Sequence, residues 1–162
     1  MPNWSVVALA EDLVVFLEAE DDSLRRAIFG TDAEHPPEGW ADSDRNDRLP
    51  VLQQASLELK QYMAGERRVF SVTFEVDGTE FQCRVWKELC EIPFGEVRSY
   101  ADIATALDNP KATRAVGSAN GRNPLPIFIP CHRVIGSDGS LAGYSAGVEV
   151  KRALLAREGV LL

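Results

Sequence analysis

Cysteine and histidine are scarce in this sequence, which contains three cysteines and two histidines among 162 residues. The odd cysteine count, without a secretion signal, predicts reduced thiols rather than a disulfide framework and raises the chance that one thiol is reactive. Two histidines cannot complete a convincing zinc ligand set, so we predict no metal and no cofactor. Cys83 and Cys90 lie seven residues apart and are predicted to be small buried apolar residues on one helix face.

Long apolar runs are absent as well. The chain is mainly apolar between Val6 and Leu17, but Glu11 and Asp12 interrupt the run, so neither a secretion signal nor a membrane span fits. Internal repeats and low-complexity tracts are also missing. We therefore expect a cytoplasmic protein that does not contact a membrane, long enough for one ordinary domain or two small ones.

An overall excess of positive charge, which many nucleic-acid-binding proteins have, is missing: the formal net charge is −8. The acidity lies in residues 1–60, which hold 13 acidic and 5 basic residues, whereas residues 61–162 hold 12 of each. Within the second part, residues 98–133 carry five basic residues and two acidic ones. Such a local excess can face phosphate while the acidic half faces away, but it predicts weak, salt-sensitive binding.

The first 78 residues combine strand and helix patterns. Valine-rich and aromatic stretches indicate strands, a polar stretch with two prolines indicates a loop, and apolar residues three and four apart indicate a helix. We predict strands at 4–10 and 13–19, a loop at 31–47, a helix at 49–63 and a further strand at 70–76. These elements make a small α/β domain, which we place at residues 1–78.

Helical patterns dominate from residue 79 onward. Thr79 with Gln82, and Ser99 with Asp102, have the spacing of capping boxes, which begin helices. Two further helices are predicted at 112–120 and 150–158. The second domain, at residues 79–162, is therefore predicted to be mainly helical.

Two of these helices, separated by a short break within residues 100–120, have the spacing of a helix-turn-helix. The second of them consists mostly of small residues, which leaves Arg114 as its long side chain. A slim helix with one projecting arginine can enter a narrow DNA groove and push into the base stack. Spacing alone slightly favours the structural alternative, in which the small residues allow close helix packing and Arg114 is a solvated charge.

A cysteine follows an apolar run in the segment Ile127-Phe128-Ile129-Pro130-Cys131-His132-Arg133. A thiol with the ordinary pKa of about 8.5 is mostly protonated at neutral pH, so a nucleophilic cysteine needs a base or a positive environment. His132 can supply the base, directly or through a water, and Arg133 a nearby positive charge. A buried structural cysteine is the usual alternative.

The stretch from Phe81 to Glu158 resembles the catalytic domain of the O6-alkylguanine-DNA alkyltransferases, also called methylated-DNA–protein-cysteine methyltransferases. The matching motifs are Phe81-Gln82-x-x-Val85-Trp86-x-x-Leu89, Ile92-Pro93-x-Gly95, Ser99-Tyr100, Arg114-Ala115-Val116-Gly117-x-Ala119-Asn120-x-x-Asn123-Pro124, Ile129-Pro130-Cys131-His132-Arg133-Val134-Ile135 and Gly143-Tyr144-Ser145. The resemblance implies an α/β fold with a small ribonuclease-H-like N-terminal domain. It also implies a mainly helical C-terminal domain that contains a helix-turn-helix.

The resemblance further implies the role of each site residue. Cys131 would accept the alkyl group, His132 would remove the thiol proton through a water, and Glu158 would orient His132. Tyr100 and the backbone amide of Ser145 would donate hydrogen bonds to the departing guanine. The main-chain carbonyls of Cys131 and Val134 would read the guanine amino group. Further contacts with the base or the DNA are implied for Arg114, Ala115, Gly117, Tyr144 and the hinge residue Asn123.

The activity implied in this way is direct DNA repair by irreversible transfer of one alkyl group, such as methyl, from O6 of guanine to Cys131. The substrate would be double-stranded DNA, which a monomer binds in the minor groove and from which it flips the damaged base. The product thioether is stable, so each molecule would act once. No metal or other cofactor is implied.

Other functions compete with this one. Alkyltransferase-like proteins bind alkylated DNA and recruit repair factors, but they replace the acceptor cysteine, commonly with tryptophan, whereas Cys131 is present here. A cysteine hydrolase could use Cys131 and His132, but the chain has no separate general-base histidine, and a hydrolase needs no DNA-reading helix. A fold with an inert cysteine ranks last, because it requires every motif spacing to be a coincidence.

Overall fold

The computed structural model describes residues 2–162, which form two compact units divided between Val76 and Asp77. This division lies within two residues of the boundary predicted from the sequence. No helix among the described residues is long and apolar enough to cross a membrane.

The first unit contains a three-stranded antiparallel sheet with the order β1-β2-β3 and one long helix, α1. Their bounds are Asn3–Ala10, Leu13–Glu20, Ser23–Gly30 and Pro50–Met63. The two predicted strands and the predicted helix are confirmed. Strand β3 was not predicted as a separate strand. Helix α1 packs against all three strands through an apolar side that includes Leu52, Ala55 and Leu59.

The predicted loop at 31–47 contains one short 3-10 turn at Asp42–Asp44 and contributes to the core of this unit. Trp40 from the loop packs against Trp4 and Phe16 of the sheet, with ring centroids 6.1 and 6.4 Å away. The Trp4 indole also donates a hydrogen bond to the carbonyl oxygen of Ala41, at 2.8 Å. The loop is therefore ordered by aromatic packing.

The predicted strand at 70–76 is wrong. Only Phe74 forms a bridge, with Leu24, and the rest of the segment joins no ladder. The reason is the buried carboxylate of Glu58 on α1, which accepts hydrogen bonds from the backbone amides of Ser71 and Val72 at 2.7 and 3.1 Å. The side chain thus occupies two donors that a strand neighbour would otherwise use.

The second unit is mainly helical, as predicted. Its helices α2, α3, α4 and α5 span Glu80–Cys90, Tyr100–Ala106, Thr113–Gly121 and Val148–Arg157. Both predicted capping boxes are present, since the Thr79 and Ser99 side chains accept from the amides of Gln82 and Asp102. The Trp86 indole of α2 donates to the carbonyl oxygen of Ala119 at 2.8 Å and ties α2 to α4.

A short parallel pairing brings distant parts of this unit together. Strand β4, Arg98–Ser99, pairs with β5, Val134–Ile135, so that Arg98 faces Val134 and Ser99 faces Ile135. Tyr100 follows β4 directly, and the Cys131 segment directly precedes β5. The pairing therefore fixes the start of α3 beside the cysteine segment.

Gly78, just before α2, leaves no room for a side chain. A Cβ atom placed there would lie 2.6 Å from the ring of Trp86, which is buried and tied to α4. We expect Gly78→Ala to lower the free energy of unfolding by about 1–3 kcal/mol, as overpacking typically does. Chemical denaturation measures this, with Gly121→Ala as control, because a Cβ there meets nothing within 4 Å. Equal stability of the two variants would show that Trp86 moves aside without cost.

Candidate active site

Cys131 begins a single 3-10 turn, Cys131–Arg133. The residue is only 5% exposed, and burial raises the pKa of its thiol. Asn123, the positive charge of Lys151 and Tyr144 oppose this rise. Since a buried thiol with a raised pKa does not ionise on its own at neutral pH, it needs a base to react.

The segment leading to Cys131 is held in an unusual conformation. Ile127 has a φ of 75°, in the left-handed region that β-branched residues rarely adopt, and it is fully buried. Asn123 spans this turn: its Nδ2 donates to the carbonyl oxygen of Ile129 at 2.8 Å, and its Oδ1 accepts from the amide of Leu125 at 2.9 Å. These two bonds connect the end of α4 to the cysteine segment, where the hinge role of Asn123 is predicted.

His132 and Glu158 form a fully buried pair. The Nε2 atom of His132 lies 2.6 Å from Oε2 of Glu158, and neither side chain is exposed. Burial lowers the pKa of His132, an effect that the Glu158 carboxylate partly offsets. The imidazole is therefore neutral at physiological pH. Its Nε2–H donates to the carboxylate, which leaves the lone pair on Nδ1 to accept a proton.

Glu158 is held by donors from three residues. Besides His132, its carboxylate accepts from Nε and Nη2 of Arg133 at 2.8 and 3.1 Å, and from the backbone amide of Gly95 at 3.0 Å. Arg133 also donates to the carbonyl oxygen of Ile92 at 2.7 Å. Arg133 was predicted to supply positive charge near Cys131, whereas its guanidinium is bound to Glu158 and holds the carboxylate that contacts His132.

Lys151 is a buried residue that the sequence analysis missed. Its Nζ donates to the carbonyl oxygen of Val134 at 2.6 Å, and its charge acts on Cys131. Burial lowers the pKa of Lys151, which the charge of Cys131 counteracts. Its position three and four residues before the buried Leu154 and Leu155 places it on the inner side of α5, and this spacing was a usable signal.

The cavity beside Cys131 is small, at about 30 Å³. Its lining includes the predicted residues Asn123, Tyr144 and Ser145, together with Asn120. Tyr100 is half-buried, and its pKa is raised by burial and by its proximity to Cys131. The predicted residues of the cysteine segment and of the 143–145 segment are therefore brought together around one sulfur atom.

Helix α4 presents the predicted Arg114 and Ala115 to solvent, while Gly117 faces the ring of Tyr100, where an added Cβ would lie 3.9 Å away. The positive charge of this region is smaller than the sequence count suggested. Arg133 is neutralised by Glu158 and the half-buried Arg98 pairs with Glu96, which leaves Lys111, Arg114 and Arg122 as exposed basic residues.

The other two cysteines differ from the prediction, since neither Cys83 nor Cys90 is buried. Partial desolvation and the neighbouring Glu91 carboxylate raise the pKa of the Cys90 thiol to about 11, so it remains protonated. Within residues 2–162, no group of three or more histidine, cysteine or carboxylate side chains is placed to hold a metal ion.

Comparison with known proteins agrees with this geometry. Residues 80–160 match the family described as 6-O-methylguanine DNA methyltransferase, DNA binding domain. The chain is 43% identical to the methylated-DNA–protein-cysteine methyltransferase of Methanosarcina acetivorans over 90% of this chain and 91% of that one. It is 48% identical to the constitutive enzyme of Bacillus subtilis, over 87% and 86%.

Solved structures extend the likeness to nearly the whole chain. Mycobacterium tuberculosis OGT in complex with DNA is 38% identical, with a TM-score of 0.81 over 98% of this chain and 92% of that one. The O6-methylguanine DNA methyltransferase of Methanococcus jannaschii is 30% identical, with a TM-score of 0.72 over 98% and 95%. The cysteine, its buried histidine–glutamate pair and these matches lead to one conclusion: the chain belongs to the methylated-DNA–protein-cysteine methyltransferase family.

Proposed function

We propose that this protein repairs alkylated DNA by transferring an alkyl group from O6 of guanine to Sγ of Cys131. The observation that carries the proposal is the buried Cys131, followed directly by a neutral His132 whose Nε2 lies 2.6 Å from Glu158. This is the nucleophile, base and orienting carboxylate of a triad. Two of the relatives are named for this transfer to cysteine.

The transfer is a single displacement. The Cys131 thiol gives its proton, through a water, to Nδ1 of His132, and the sulfur attacks the carbon bound to O6. The carbon–sulfur bond forms while the carbon–oxygen bond breaks, and the electron pair of that bond remains on the base. The proton returns to guanine at N1, which restores the ordinary base. Tyr100 and the amide of Ser145 stabilise the negative charge that develops on the departing guanine.

The acceptor is too deeply placed to reach a base that remains stacked in the duplex. A flipped-out nucleotide solves this problem, and α4 is suited to promote flipping in the minor groove. In this proposal α3 and α4 form a helix-turn-helix, Ala115 and Gly117 allow close approach, and Arg114 fills the space that the base leaves. The Mycobacterium tuberculosis relative was solved in complex with DNA.

The remaining parts of the proposal concern the architecture. The first unit, with its three-stranded antiparallel sheet and α1, is proposed as a small ribonuclease-H-like domain, and the second as the DNA-binding and alkyl-transfer domain. The protein acts as a monomer, because one set of site residues lies within one unit of one chain. The carbonyls of Cys131 and Val134 face the base, although the Cys131 carbonyl already accepts from Asn120 and from the amide of Val134, and the Val134 carbonyl from Lys151.

The test is the mass of the intact protein after incubation with duplex DNA that contains O6-methylguanine. We expect each molecule to gain one methylene unit, mapped to Cys131 by peptide analysis, and the amount transferred to equal the amount of protein. Unmodified duplex is the control. Selective binding to the lesion without any gain in mass would instead support the recruiting alkyltransferase-like function.

The pH dependence of transfer follows from the two pKa shifts at the site. Because burial lowers the pKa of His132 below its ordinary value of about 6.5, the base stays neutral and the single-turnover rate should be level from about pH 7 to 8. The rate should fall only below about pH 6.5. In His132→Gln the rate should instead climb steadily with pH, since the thiolate must then form unaided and burial raises the pKa of Cys131.

The free energy of unfolding should fall with the pH over the same range as the transfer rate. His132 is neutral when folded but takes up a proton near pH 6.5 when unfolded, so its contribution is complete above that pH and is lost as the pH falls. Rates measured beside unfolding curves separate the two effects. Parallel pH profiles for the wild type and His132→Gln would show that His132 is not the base.

A further inference from the structure

Asn120 on α4 is a buried polar residue that the mechanism above does not use. It is 6% exposed, and its Nδ2 donates to the carbonyl oxygen of Cys131 at 3.4 Å. Its amide oxygen, Oδ1, is buried and has no hydrogen-bond partner among residues 2–162. An unsatisfied buried acceptor costs free energy, so its presence at a functional cavity calls for an explanation in terms of a ligand.

The orientation of this amide is fixed by its neighbour. The opposite orientation would place Oδ1 against the carbonyl oxygen of Cys131, and two acceptors repel each other. Oδ1 must therefore point away from that carbonyl. Asn120 also lines the cavity beside Cys131, together with Tyr144 and Ser145. A residue with an unpartnered buried acceptor thus lines the same cavity as Cys131.

The chemistry of the substrate identifies the missing donor. Alkylation at O6 removes the hydrogen from N1 of guanine, and N9 is bound to the sugar, so the 2-amino group is the only N–H donor left on the base. We propose that Oδ1 of Asn120 accepts one hydrogen of this 2-amino group, while the other goes to the Val134 carbonyl, and that Asn120 so selects alkylated guanine. The inference rests on the proposed function, because it assigns a specificity-determining residue to the same site.

The same bond predicts which substrates are disfavoured. O6-Methylhypoxanthine is O6-methylguanine without the 2-amino group, and O4-methylthymine has no N–H donor either. Both would leave Oδ1 of Asn120 buried and unpaired in the complex. A site that contains an unsatisfied polar group rejects the analogue that lacks the matching donor. Asn120 would therefore make this protein a poor acceptor of methyl groups from thymine.

The test compares single-turnover transfer from duplexes with O6-methylguanine and with O6-methylhypoxanthine, for the wild type and for Asn120→Leu, which has nearly the same volume. In the variant we expect the rate with O6-methylguanine to fall about fivefold to tenfold, as loss of one hydrogen bond implies. The rate with O6-methylhypoxanthine should change little, so the preference for guanine should shrink by the same factor.

Two results have distinct meanings. If Asn120→Leu slows both substrates equally, Asn120 only supports the packing of the cysteine segment and the inference is overturned. If the wild-type protein transfers a methyl group from neither substrate, the proposed function itself fails. Unfolding curves check that the variant folds; Asn120→Met, a flexible apolar replacement, provides the same comparison if Asn120→Leu does not.

Discussion

Cys131→Ser is expected to abolish alkyl transfer completely while DNA that contains O6-methylguanine is still bound. A serine hydroxyl is a far weaker nucleophile than a thiolate, and a neutral imidazole does not generate enough alkoxide for the displacement. The side chain is slightly smaller and keeps the fold, so the cavity and α4 remain available to DNA. Intact-protein mass measures the transfer, and fluorescence anisotropy of a labelled duplex measures the binding.

The matched control for this change is Cys90→Ser. Cys90 has a pKa of about 11 and lies at the end of α2, outside the cavity, so its replacement should leave one methyl group transferred per molecule. A mass gain that persists in Cys131→Ser and disappears in Cys90→Ser would identify a different acceptor. Loss of lesion binding in Cys131→Ser would show that the thiol contributes to binding as well as to chemistry.

Glu158→Gln should have the second large effect, on both stability and rate. Glutamine keeps the shape but not the charge, so the buried Arg133 loses the carboxylate that it binds. Breaking a buried ion pair in this way typically costs about 3–5 kcal/mol, which denaturant unfolding will measure. Transfer should slow by about 10²–10⁴-fold, because His132 loses the carboxylate that orients it and stabilises its protonated form.

The double variant Arg133→Met with Glu158→Gln separates the two effects. It removes the unpaired charge together with the carboxylate, so much of the lost stability should return, as it does when a whole buried pair is replaced. The rate should stay low, because His132 still lacks its carboxylate. Wild-type stability in Glu158→Gln alone would mean that water reaches Arg133 and that the pair is less isolated than its burial indicates.

Local sequence signals predicted the helices of the second unit well. The capping boxes at Thr79 and Ser99 depend only on residues three positions apart, and the structure contains both. The strand predicted at 70–76 failed for the opposite reason. Its alternating pattern is genuine, but the backbone amides of that segment bond to Glu58, a residue 13 and 14 positions away, and local patterns do not contain that contact.

The active site shows the same contrast between local sequence signals, which could be predicted, and contacts between distant residues, which could not. Cys131 and His132 are adjacent and chemically distinctive, so the sequence identified them as candidates, while Glu158 came from the resemblance alone. Arg133 binds a carboxylate 25 positions away, and Asn120 binds the carbonyl of Cys131, 11 positions away, and local patterns contain neither contact. The spacing of Lys151 from Leu154 and Leu155 places it on the buried side of the helix. Buried lysines are so rare that this spacing alone did not lead to a prediction of burial.

The distance along the chain between His132 and Glu158, 26 positions, has a consequence for how the protein is made. During synthesis the thiol and its neighbouring imidazole leave the ribosome before the carboxylate does, and N-terminal parts fold first. A growing chain therefore carries an ordinary cysteine, and competence arises only when the last helix docks. A polypeptide cut before Glu158 would keep the thiol and its imidazole but lack the carboxylate that binds His132 and Arg133.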